Sequence, residues 1–187
     1  MRIIGGRFRG RALTAPRGLA TRPTGARARV ALFDTLAPYL DGASVADLFA
    51  GTGALGLEAL SRGATSVDFY EQARPALDAL RGNVTTFGVS ADARVIGGTL
   101  PQSLREGAPY DLVFMDPPWR QALELPVAER LVRCGRVGPE SRIVIEVARR
   151  DPWDEASWQA VGLELADQRV YGDTEMRFFR RRATTAP

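Results

Sequence analysis

The stretch Asp47-Leu48-Phe49-Ala50-Gly51-Thr52-Gly53-Ala54-Leu55-Gly56 decides how the rest of the chain is read. It leaves a short apolar run, Val45 to Phe49, crosses three glycines and enters a helix-favouring segment from about Ala54 to Arg62. Gly51, Gly53 and Gly56 satisfy the spacing G-x-G-x-x-G. Without a Cβ the backbone can turn sharply and come close to a ligand. The spacing alone also fits a purely structural turn. A strand, a glycine loop and a helix in this order nonetheless make one βα unit.

Moving outward, the unit repeats. Strands are expected at Ser66 to Glu71, Ala93 to Ile96, Asp111 to Met115 and Arg142 to Val147. Helices are expected at Pro75 to Phe87 and about Leu123 to Cys134, with a short one over Leu100 to Arg105. The alternation then stops. Residues 163–170 and 175–181 read as two strands joined by the turn Tyr171-Gly172-Asp173-Thr174. Upstream, residues 1–13 suggest a β-hairpin and 14–23 a loop. Thr24 stands where it could cap a helix from about Gly25 to Leu40, with Val30, Phe33, Leu36 and Leu40 near one face. Pro38 is expected to fray its last turn. Repeated βα units imply an α/β fold with a mostly parallel sheet covered by helices on both faces. Ligands of such sheets bind outside the carboxyl ends of the strands.

Two acids and one tetrapeptide lie at those ends. Asp47 precedes Gly51 by four residues, where a carboxylate can meet the ammonium of a methionine moiety but would repel a pyrophosphate. That favours S-adenosylmethionine (AdoMet) over a dinucleotide. Glu71 ends the second strand, where it can accept both ribose hydroxyls, as the acid of a NAD enzyme also would. The fourth strand runs into Asp116-Pro117-Pro118-Trp119. Pro117 and Pro118 fix φ and remove two donors, holding an extended turn. Asp116 and the Pro117 carbonyl can then face one cleft and accept both N–H groups of an amine, freeing its lone pair for in-line attack on a sulfonium methyl. Trp119 offers a stacking surface for an extruded base, worth roughly 1–3 kcal/mol. Positioning supplies most of the gain, so no strong base is needed.

Composition narrows the function further. Of 187 residues 45% are hydrophobic and 25% charged, as in a soluble α/β domain. No histidine and a single cysteine, Cys134, exclude His-based triads, a disulfide and Cys-cluster metal sites, so no metal is expected. No apolar run suits a membrane span and the N-terminal stretch lacks a signal-peptide core, so a cytoplasmic protein is expected. All 25 basic residues are arginine, a bias that genomic base composition can explain. Eight of them fall within residues 1–33, which hold no acid, while the rest of the chain carries a net −5 within a total of +3. Such clustering points to an anionic partner, because arginine forks match phosphate oxygens. Arg7, Arg9 and Arg11, with Arg22 nearer the cleft, are the candidate RNA contacts.

With these residues quoted, the chain resembles the class I AdoMet methyltransferases and, more closely, the bacterial 16S rRNA guanine-N2 methyltransferase family, the RsmD-type proteins. The likeness includes Met1-Arg2-Ile3-Ile4-Gly5-Gly6 with Gly10-Arg11-Ala12-Leu13, and Arg22-Pro23-Thr24 with Arg27, Arg29 and Phe33. It continues through Asp47 to Gly56, Glu71, Asp116 to Trp119 and Tyr171 to Thr174. It implies a Rossmann-like, seven-stranded, mostly parallel sheet with an antiparallel last strand. It divides the chain into a basic arm, residues 1–24, and a methyltransferase domain, residues 25–187. It implies AdoMet held by Asp47, Ala50, Gly51 and Gly53 at the methionine half and by Glu71 and Gln72 near the ribose. Thr99 and Leu100 belong to the same site, with Thr99 standing where the family usually has an acid facing the adenine amine. Thr24 is placed either on the cofactor site or at the helix cap. The acceptor implied is the 2-amino group of a guanine in 16S rRNA, naked or within the 30S particle; separately, the enzyme is expected to be a monomer. An adenine-N6 methyltransferase shares the tetrapeptide but usually has a larger target-recognition region. A protein-glutamine methyltransferase usually has Asn in place of Asp116. A NAD oxidoreductase leaves the tetrapeptide without a role, and a non-catalytic RNA-binding protein needs only the basic arm.

Overall fold

The computed structural model describes residues 1–16, 25–119 and 121–182. Seven strands, β1 (Ser44–Leu48), β2 (Ser66–Glu71), β3 (Ala93–Gly97), β4 (Tyr110–Met115), β5 (Val137–Ala148), β6 (Leu163–Tyr171) and β7 (Thr174–Arg181), form one sheet in the order β3-β2-β1-β4-β5-β7-β6. Strands β1 to β5 pair in parallel, and β7 runs antiparallel to both β5 and β6. The order reverses between β1 and β4, which opens a crevice at their carboxyl ends.

Helices α1 (Ala26–Leu36), α2 (Ala54–Ser61) and α3 (Arg74–Phe87) bury apolar side chains on one face of the sheet, among them Phe33, Leu60 and Leu80. Helices α4 (Glu124–Arg133) and α5 (Glu155–Ala160) cover the other, through Leu131 and Trp158. Helix α3 shows how the sequence sets its own limits. Ala76, Leu77, Leu80, Val84 and Phe87 recur at helical spacing and are buried. Pro75 occupies the first turn, and Gly88 ends the helix at φ +71°, its N–H bonding to the carbonyls of Val84 and Thr85.

Several sequence expectations shift. Val30 is exposed, and α1 instead buries Ala28, Arg29, Leu32, Phe33 and Leu36. The helix ends at Leu36 and continues as a 3-10 turn through Pro38. Gly25 is its N-cap residue; Thr24 and Arg22 lie outside the described residues. Leu100 to Arg105 forms turns instead of a helix, with Ser103 N–H bonded to Thr99 and Leu104 N–H to Pro101; Pro101 itself has no N–H to offer. Helix α5 was not foreseen. It spans six residues and buries only Trp158.

The N-terminal hairpin is abbreviated. Arg2 and Ala12 form an antiparallel bridge, Ile3 N–H bonds Arg11 and Leu13 N–H bonds Met1, and the far end is a 3-10 turn, Gly6–Phe8. The ribbon is fastened to the domain. Fully buried Glu58 of α2 accepts the backbone N–H groups of Ile4 (2.7 Å) and Gly5 (2.8 Å). Ser61 Oγ accepts from Phe8 N–H at 2.9 Å and donates to the Gly5 carbonyl at 2.6 Å. Asn83 accepts from Thr14 N–H and donates to the carbonyls of Thr14 and Thr52. Ile3 and Leu13 are part of the core beneath α1 and α2.

Candidate active site

A cavity of about 680 Å³ opens at the carboxyl ends of β1, β2 and β4, within the size range of small-molecule sites. Its floor is the glycine loop. Phe49, at the end of β1, holds φ +61°, a conformation disfavoured for an aromatic residue and tolerated where surrounding packing enforces it. Gly51 follows at φ +55° and faces the cavity. Gly56 is required for a different reason. A Cβ there would come within 2.3 Å of the Phe69 ring, so the glycine lets α2 lie directly on β2.

Asp47 lines the cavity and is 2% exposed. Its Oδ2 accepts the Gly56 N–H at 2.8 Å, tying the start of α2 to β1. Burial raises its carboxyl to about 7; the Gly56 bond opposes that shift and the charge of Glu71 adds to it. Glu71 holds the loop together. One oxygen accepts from Gly51 N–H at 2.8 Å, the other from Gln72 N–H at 2.8 Å and Ala73 N–H at 2.7 Å. A carboxylate has about four acceptor positions, so one remains for a further donor.

Asp116 follows β4, its N–H directed at the Leu48 carbonyl of β1. Burial, then Glu146, then Asp47 push its carboxyl well above the ordinary carboxylate range. Pleating explains the cluster. Val45 of β1, Phe114 of β4 and Val144 of β5 belong to the core on the α1–α2–α3 side. Asp47, Asp116 and Glu146 each lie two residues further along, and side chains two apart share a face. Three carboxylates on three successive strands therefore converge on one cavity. Arg29 is the one cationic side chain among the described lining residues, so three carboxylates outnumber it and the pocket suits cationic, donor-rich ligands.

Of the residues singled out in the sequence, Asp47, Ala50, Gly51, Glu71, Gln72, Thr99, Leu100, Asp116, Pro117, Pro118 and Trp119 all line this cavity. Thr99 is exposed and Leu100 buried. Gly53 is not on the wall; its α-carbon faces Leu80 and Phe69. Thr24 falls outside the described residues. Arg7 and Arg9 are exposed on the N-terminal ribbon, and Arg11 is half-buried against α3. Glu146 and Arg29 were missed. Glu146 interrupts the apolar run Ile143-Val144-Ile145 near the carboxyl end of a strand, a signal that could have found it, but no glycine loop follows it as one follows Asp47. Arg29, quoted above only as part of the family likeness, also lines the cavity. It is 4% exposed, donates through Nη2 to the Arg2 carbonyl at 3.2 Å, and burial lowers its pKa. Among the described residues there is no cluster of side chains able to hold a metal ion.

Known proteins of similar sequence and fold place the chain in a family. The family model described as conserved hypothetical protein 95 matches residues 1–180. The chain is 37% identical over 186 residues to ribosomal RNA small subunit methyltransferase D of Escherichia coli, covering 98% of this chain and 91% of that one. It is 35% identical over 156 residues to the protein of the same name in Haemophilus influenzae, covering 81% of each. A solved structure described as a putative methyltransferase from Escherichia coli has a TM-score of 0.84 at 34% identity, covering 98% of this chain and 99% of the other. A Thermus thermophilus hypothetical protein has a TM-score of 0.79 at 30% identity, covering 96% and 99%.

Proposed function

The chain belongs to the ribosomal RNA small subunit methyltransferase D family, and from that premise we propose that it methylates the exocyclic N2 amine of a guanine in small-subunit rRNA, using AdoMet. The observation that carries this reading is the shared cavity. The Asp116–Trp119 turn after β4 and the glycine loop after β1 face the same space.

The residues present fit AdoMet. Asp47 supplies a buried carboxylate for an ammonium, Glu71 retains an acceptor position for a ribose hydroxyl, and the walls between them include Ala50 and Leu100. When bound, AdoMet supplies an electrophilic methyl group on a positively charged sulfur. Asp116 and the Pro117 carbonyl accept the two N–H groups of the incoming amine and turn its lone pair toward that methyl. Asp116, whose proton affinity is raised, is suited to receive the proton the nitrogen sheds. Trp119 stacks the extruded base, and the rigid Pro117-Pro118 turn keeps donor and acceptor aligned. The arginines of the N-terminal ribbon hold the surrounding phosphates. Action as a monomer is part of the same reading. An enzyme acting on ribosomal RNA would work in the cytoplasm, which belongs to the same reading; no helix among the described residues is long and apolar enough to cross a membrane.

The test is to incubate the protein and labelled AdoMet with small-subunit RNA from a strain lacking this enzyme, both naked and assembled in particles. Mass spectrometry then locates the methyl group. A single N2-methylguanine is expected. A methyl on adenine N6, or none on either substrate, overturns the reading.

A further inference from the structure

Glu146 has no part in the chemistry described above, yet it sits beside the residue that does most of it. In the β4–β5 pairing Phe114 lies opposite Val144 and Met115 opposite Ile145. Asp116 and Glu146 are each two residues beyond the first of these pairs, on adjacent strands and on the same face. Both line the cavity, and Glu146 is only 5% exposed. Thr174, which opens β7 after the Tyr171–Asp173 turn, places its hydroxyl 3.5 Å from Glu146 Oε1. The antiparallel return of β7 thus braces this carboxylate from the side away from β4.

We infer that Glu146 is the residue that selects guanine, by accepting the N1–H of the target base while Asp116 and the Pro117 carbonyl take its 2-amino group. An extruded base is read along its Watson–Crick edge. Guanine presents N1–H and the 2-amino group there as adjacent donors, an ionised carboxylate only accepts, and these donors would offset the repulsion from Glu146 that raises the proton affinity of Asp116. Two carboxylates side by side therefore match that edge. An adenine entering amine-first would direct the N1 lone pair at Glu146, placing acceptor against acceptor. A site built to accept a particular N–H discriminates against an analogue that presents a lone pair there, because two acceptors then face each other. The inference rests on the guanine-N2 reading and goes beyond it by naming what enforces the choice.

The test compares guanine with 2-aminopurine, which keeps the 2-amino group but carries a lone pair at N1. The methylated nucleotide is first located by mass spectrometry. Small-subunit RNA with either base at that position is then made by splinted ligation and reconstituted into particles. For the unaltered enzyme, kcat/KM should favour guanine by about 10- to 100-fold, the range expected for one charged hydrogen bond. In Glu146→Gln the side-chain amide can donate to the 2-aminopurine N1, so the guanine preference should fall at least about tenfold. AdoMet binding by calorimetry should stay unchanged in that variant, which also shows that it is folded. Equal rates on the two bases with the unaltered enzyme, or an unchanged preference in a folded Glu146→Gln variant, overturns the inference while leaving guanine methylation standing. A methyl group located somewhere other than guanine N2 overturns the functional reading beneath it.

Discussion

Asp47 and Asp68 sit on neighbouring strands, one residue out of register and on opposite faces of the sheet. Their surroundings differ in kind. Asp68 is met on all sides: Arg94 donates to both oxygens, Arg136 Nη2 to Oδ2 at 3.1 Å, and the Tyr110 hydroxyl to Oδ2 at 2.6 Å. Arg136 also lies over the Tyr110 ring at 3.9 Å. Asp47 and Asp116 form no ion pair among the described residues, and burial raises the proton affinity of both. A paired carboxylate completes a structure, whereas buried carboxylates without a cation at the carboxyl ends of strands mark a place for a ligand. The same residue type thus has two roles, and the partners tell them apart.

The comparison is broken or sharpened first by exchanging the consequences of removal. Asp116→Ala should cut turnover by about 10²–10⁴-fold, the range for a lost proton-handling group, with AdoMet affinity within a few-fold and thermal stability undiminished. Arg136→Ala should do the reverse. Removing one donor to Asp68 while Arg94 and Tyr110 still hold it should cost about 1.5–3 kcal/mol in urea unfolding and leave AdoMet affinity of the folded protein unchanged. An Asp116→Ala variant that unfolds, or an Arg136→Ala variant that is stable but inactive, would erase the distinction between the two clusters.

A smaller effect sharpens it through pH. The folded-state carboxyl of Asp47 titrates near 7, against 3.8 ordinarily, so the folded state holds a proton that the unfolded state gives up. The stability this provides is complete below about pH 4 and is lost as pH rises through about 7. AdoMet binding runs the other way, since only the ionised carboxylate pairs with an ammonium. Affinity should therefore rise about tenfold between pH 6 and pH 8. Asp47→Asn keeps an oxygen for the Gly56 N–H and removes the buried charge. It should melt at a higher temperature than the unaltered protein at pH 8, lose AdoMet affinity, and show a flat pH profile in calorimetry. A pH dependence surviving in that variant would place the titrating group elsewhere.

How much of this was legible depended on whether a residue's role is local. Strands β1 to β4 could be read because buried parallel strands are short apolar runs between glycine and proline signals. Asp47, Glu71 and Asp116 could be read because strand ends are known from those same runs. Strand β5 starts at Val137, before Gly138-Pro139, where the sequence reads as a break; pairing of Val137 with Tyr110 extends it. Helix α5 has one buried residue and is held by Asp154 capping the Ser157 N–H, too little for periodicity to reveal. The neighbourhood of Glu146 and Asp116 depends on β4–β5 register, and the burial of Arg29 on how α1 lies against the ribbon. No spacing along the chain encodes either.

The ribbon gives the last and smallest test, and the structure changes how it must be done. Three arginines there were expected to hold phosphates, but they are not equivalent. Arg11 donates to the Thr86 carbonyl at 2.5 Å and lies 4.3 Å over the Phe87 ring, so it fastens the ribbon to α3. Arg7 reaches Asp92 at 3.7 Å and remains about half exposed, while Arg9 is exposed. Changing all three would loosen the ribbon and remove its charge together. Arg9→Ala separates the two. It should leave the melting temperature and AdoMet affinity unchanged, weaken RNA binding, and flatten the slope of log K against log[salt] by about 0.7–0.9, the loss of one phosphate contact. Arg11→Ala should lower the melting temperature as well. An unchanged salt slope in Arg9→Ala would mean that phosphates are met elsewhere. The ribbon would then resemble the Asp68 cluster, a charged surface that serves the fold and not the ligand.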